Sequence, residues 1–105
     1  MTETMTLTHA SGLKYQLFMT ARIGEAMQDE KTQRAIIEAV QRFNAGDWGK
    51  VPDEDKAAND QDMKHRDGHA LGRYGTPGGD IYINLLFWEP SLESAYAMIM
   101  FPDEY

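Results

Sequence analysis

The 105-residue chain has no cysteine. That removes disulfides, thiolate nucleophiles, thiolate zinc sites and iron–sulfur ligation at once, and fits a reducing, cytoplasmic setting. Branched aliphatic and phenylalanine side chains are also scarce, with Leu, Ile, Val and Phe together supplying nineteen residues and valine only two. A fraction near 20%, with net charge −7, borders on the composition of disordered chains. Five Tyr, two Trp and seven Met restore buriable area, so the expectation is one folded domain over residues 1–105 with a modest core that self-association could complete. No run approaches the ~18 apolar residues of a membrane span, and Met1–Met5 has neither a basic nor an apolar leader segment, so neither insertion nor export is expected.

Basic residues are missing from one end. Residues 89–105 carry four acids and no base, and residues 44–62 carry six acids against two bases, whereas 1–43 and 63–88 are close to neutral. Two acidic blocks disfavour direct contact with nucleic acid and call for a basic protein surface as partner. Acidity of this degree also serves solubility alone.

Thr4–His9 and Leu13–Met19 read as a hairpin about the turn at Ala10–Gly12, followed by a short helix from Thr20. Ile36, Ile37, Val40 and Phe43 mark one face of a helix over about 30–44, capped by Asp29 and ended by Gly46. On its outer side Glu30/Arg34 and Glu38/Arg42 have the spacing of ion pairs. Pro52 and the acids Asp53, Glu54 and Asp55 start a third helix running to about Lys64. Gly68–Tyr74 and Asp80–Trp88 flank a glycine turn, and Glu89–Pro90–Ser91 leads to a last strand over 95–101. The fold expected is α+β: an antiparallel meander, extended by the N-terminal hairpin, with two or three helices on one face.

Alternation places Ile81, Ile83, Leu85, Phe87, Ala97, Ile99 and Phe101 on one sheet face and Tyr82, Leu86, Trp88, Tyr96, Met98 and Met100 on the other. Both are apolar. The second is therefore expected either to lie under the N-terminal hairpin or to serve a dimer or partner contact through Tyr82, Trp88, Tyr96, Met98 and Met100.

Catalytic chemistry is weakly represented. His65 and His69 have a metal-binding spacing but Gly68 interrupts the helix, and no metalloprotease glutamate stands between them. Gly75–Asp80 lacks the lysine of a phosphate loop, and no serine stands in a nucleophile elbow. The acids Asp47, Asp53, Glu54, Asp55, Asp60 and Asp62 lack the pattern of a calcium loop. No cofactor or metal is expected, and Trp48, between Gly46 and Gly49, reads as a core plug beneath a turn.

The order Gly46-Asp47-Trp48-Gly49, Glu54-Asp55-Lys56, Asn59-Asp60, the hairpin to Ile81-Tyr82-Ile83 and the terminal Pro102-Asp103-Glu104-Tyr105 resembles a group of small proteins of bacterial plasmids, integrated elements and phage-like regions. The resemblance covers about residues 15–105. It departs from the usual pattern at Arg42-Phe43-Asn44, where members commonly carry an Arg-His pair, and in the threonine-rich N-terminal strand. The group has no settled chemistry, and the resemblance implies a mobile-element origin. Small acidic proteins of such elements often disable host defence, and the acid blocks are compatible with a non-enzymatic inhibitor whose Asp47, Asp53, Glu54, Asp55, Asp60 and Asp62 occupy the basic nucleic-acid site of a CRISPR effector or restriction enzyme. The alternative is an accessory or dimerising protein acting through the apolar sheet face.

Overall fold

The computed structural model describes residues 5–89 and 94–105, with residues 5, 88, 89 and 94 described in backbone only. Five strands, β1 (Met5–Thr8), β2 (Lys14–Met19), β3 (His69–Tyr74), β4 (Ile81–Glu89) and β5 (Ser94–Met100), form one sheet in the order β1-β2-β5-β4-β3. Helices α1 (Ala21–Ala26) and α2 (Glu30–Asn44) supply the apolar cover of one face, and α3 (Asp53–His65) lies along β3. The expected α+β architecture, a β3-β4-β5 meander with an N-terminal hairpin, is what forms.

Local signals account for the helix ends. Thr20 accepts from the Ile23 N–H, and Asp29 accepts from both the N–H and the hydroxyl of Thr32 at 3.0 and 2.8 Å. Gly46, at φ 85°, takes the left-handed turn that ends α2. Pro52 occupies the N-cap of α3, one position earlier than the first turn. Glu30 and Arg34 pair at 2.7 Å, but Arg42 does not bond Glu38; its Nε turns to Asp47 Oδ2 at 2.7 Å, where the carboxylate is also fixed by the Gly49 N–H. A carboxylate held by two donors outcompetes a solvated one four residues back.

Of the two places open to the hairpin, extending the sheet or covering its second face, it takes the first. It does not lie over the second sheet face; β2 pairs in parallel with β5, Leu17 opposite Ala97 and Phe18 opposite Met98, so the hairpin widens the sheet in its own plane. The core therefore sits on one side only. Tyr15, Ile83, Leu85, Ala97 and Ile99 project from the sheet onto Ile23, Ile36, Ala39 and Phe43 of the helices, all essentially buried. The molecule is a slab of about 38 × 36 × 23 Å. None of the described helices is long and apolar enough to cross a membrane.

Candidate functional site

Trp48 anchors the site. Its ring is buried against Phe43 and His9, with centroids 5.3 and 5.6 Å away, and its indole N–H donates to Asp60 Oδ1 at 2.9 Å. The plug reading of Trp48 holds. It also positions α3: the Trp48 carbonyl accepts from the Arg73 N–H and Lys50 N–H donates to the Arg73 carbonyl, so the turn runs beside β3 like a short parallel strand. Gly49 is required where the two backbones meet, because a Cβ there would run into the Arg73 carbonyl, and its φ is 75°. Two residues earlier along β3, buried Asn59 on α3 donates to the Leu71 carbonyl at 2.9 Å and accepts from the Leu71 N–H at 3.1 Å. A side-chain amide thus closes an edge that would otherwise present open backbone groups.

These contacts sort the six expected acids. Asp47 belongs to the turn; its bonds from Arg42 and from the Gly49 N–H hold its carboxyl below the usual range. Asp60 is the Trp48 acceptor. Asp53 and Glu54 are exposed in the first turn of α3, with Lys56 Nζ 3.8 Å from Asp53. Asp55 and Asp62, seven residues apart on one helical stripe, line a cavity of about 250 Å³ between α3 and β3, with Val51, Ala58 and Leu71 as its apolar wall and His69 beside them. The structure brings together Asp55 and Asp62 but not all six.

His65 and His69 do not converge. His65 bonds Gln61 on α3, Arg66 turns the chain in the left-handed conformation, and His69 begins β3. Among the described residues no group of three His, Asp or Glu side chains is placed to hold a metal ion.

The second expected surface is the sheet face that no helix covers among the described residues. The register aligns Tyr82 with Met100, Asn84 with Met98 and Leu86 with Tyr96, all half-buried except Asn84, which is buried. Phe18 meets Tyr96 edge to face at 6.3 Å, and Tyr105 meets Tyr82 likewise at 5.5 Å. The Trp88 side chain lies outside the described residues. The C-terminal segment packs down: Arg22 bonds both oxygens of Asp103 at 2.9 Å, and Glu104 accepts from Thr20 and from the Phe101 N–H. Sequence reasoning missed Phe18, Asn59 and Asn84. Phe18 was recoverable by extending the alternation to β2; the roles of the two asparagines depend on which strands lie beside them.

The chain matches no known protein-family profile, no curated protein and no solved structure.

Proposed function

We propose that the protein is a non-enzymatic binding protein of a mobile element that engages a basic surface on a partner protein through α3. The supporting observation is the cleft between α3 and β3. Asp55 and Asp62 line it together with the apolar residues Val51, Ala58 and Leu71 and with His69. This geometry suits a lysine or arginine side chain, whose aliphatic stem lies on the wall while its head meets a carboxylate. Asp53 and Glu54 extend the negative surface along the first turn. A basic nucleic-acid-binding groove, as on a CRISPR effector or restriction enzyme, has the complementary chemistry, and occupying it would block the nuclease by competition.

The test is a tagged pull-down from bacterial lysate, comparing the native chain with one carrying Asp53→Asn, Glu54→Gln, Asp55→Asn and Asp62→Asn. Asp47 and Asp60 are left intact because they hold Arg42 and Trp48. Recovery of a nuclease whose DNA binding the native chain blocks, lost with the substitutions and in high salt, supports the reading. A partner retained by the neutralised chain overturns it.

A further inference from the structure

We propose that the uncovered sheet face is the interface of a symmetric dimer, each copy laying its sheet against the other's. Three observations favour a second copy as occupant.

The first is charge. The chain carries −7, yet the outward strand positions whose side chains are described hold no acid; the charged groups there are Lys14 and Arg73, the latter bonded to Asp80, with Glu89 paired to Ser94 at one end of the face. Two acidic copies can approach here with little repulsion. The second is area. Five strands at ~4.8 Å spacing and about six residues at ~3.4 Å make a face of about 24 by 20 Å, roughly 480 Å² in plan, which places it among the smaller, weaker interfaces. A slab about 23 Å thick holds one sheet and one helix layer; sheet-to-sheet pairing makes the four-layer sandwich in which apolar sheet faces are ordinarily buried.

The third is Asn84. It is only 9% exposed, set between Leu71 and Met98 in the sheet register, and among the described residues its Oδ1 has no hydrogen-bond partner. An amide left unsatisfied in an apolar face weakens the isolated chain, and a polar group brought by a partner recovers the loss.

Charge also selects the symmetry. A twofold axis across the strands would set the two acidic α3 helices together. An axis along the strands, near the central strand β5, sends them to opposite ends, each beside the β1–β2 edge where the other copy displays Lys14. In that arrangement β4 crosses β2 of the second copy. Asn84 then comes level with Phe18 of that copy and one outward position from its Gln16, whose exposed amide can donate to the orphan oxygen. The outer acids Asp53 and Glu54 remain on the perimeter, whereas Leu71 and His69 belong both to this face and to the Asp55/Asp62 cleft, so the dimer would border on that cleft.

Sedimentation equilibrium from about 1 µM to about 1 mM spans the affinities open to such an interface. The expected result is a mass rising to twice the 11.9 kDa of one chain, with Met98→Asp weakening the dimer at least about tenfold and exposed Lys14→Glu weakening it less. Circular dichroism verifies that each variant is folded, and Lys14→Glu carries the test if Met98→Asp is not. A native chain that stays at 11.9 kDa throughout overturns the proposal, as does a dimer unaffected by the folded variants. The acidic reading has a separate readout, the pull-down with Asp53, Glu54, Asp55 and Asp62 neutralised, none of which stands on the sheet face.

Discussion

Trp48 and Asp60, twelve residues apart in the chain, are joined by one hydrogen bond of 2.9 Å from indole N–H to carboxylate, and that bond ties the glycine-flanked turn to the middle of α3. The tryptophan is 3% exposed, so its N–H has no ready access to water once the acceptor is lost. Asp60→Ala should therefore destabilise the fold by about 1–3 kcal/mol, the cost of an unsatisfied buried donor. Asp60→Asn keeps an acceptor oxygen and should cost much less. Urea unfolding followed by tryptophan fluorescence measures both, and equal losses would show that charge, rather than the hydrogen bond, matters at this position.

Asn59 and Leu71 are bonded twice, donor to carbonyl and N–H to amide oxygen. Asn59→Ala should cost about 2–3 kcal/mol and open the β3 edge. Hydrogen exchange at the Leu71 amide should accelerate in that variant more than exchange at Ile83, in the interior of the sheet. Uniform acceleration would mean that Asn59 stabilises the whole fold without guarding the edge in particular.

Gly49 and Gly46 both have positive φ, yet they should respond differently to alanine. At Gly46 an added Cβ meets nothing within 4 Å, leaving only the backbone penalty of about 1 kcal/mol. At Gly49 it meets the Arg73 carbonyl and the Tyr74 ring, so the parallel bridge must separate and the loss should reach about 2–4 kcal/mol. Thermal melts of the two variants give the comparison, and similar melting temperatures would contradict the close approach.

Features governed by near neighbours were legible before the fold was known. The caps at Thr20 and Asp29, the end of α2 at Gly46 and the two faces of β4 and β5 all follow from residues a few positions apart. The parallel pairing of β2 with β5 joins residues about eighty positions apart, and no local pattern specifies it. Without that pairing the hairpin could as well have covered the second face. The same limit applied to the acids. Six carboxylates look equivalent in sequence, and only the positions of Arg42 and Trp48 show that Asp47 and Asp60 are committed to the fold while Asp55 and Asp62 share a cleft.

His9 contributes to the pH dependence between pH 7 and pH 5. It is 5% exposed, stacked on Trp48 with ring planes 15° apart, and its Nδ1 accepts the Ser11 N–H at 3.0 Å. That bond assigns the proton of the neutral ring to Nε2, which has no partner at hydrogen-bond geometry among the described residues. Burial lowers its pKa below 6.5; the Phe43 carbonyl opposes this, the Arg66 guanidinium adds to it, and Asp60 opposes it. The unfolded chain therefore takes up a proton at this position at higher pH than the folded one does. Above about pH 6.5 both states are neutral here and stability is complete; as pH falls from there toward the folded pKa, stability is lost by at most ~1.4 kcal/mol per pH unit, and below the folded pKa the loss levels off. His9→Phe retains an aromatic ring against Trp48 and removes the titration, so its urea midpoint should vary less between pH 7 and pH 5 than that of the native chain. Identical pH profiles would mean that the His9 ring accepts its proton in the folded state as readily as in the unfolded one, and that the acid sensitivity arises elsewhere.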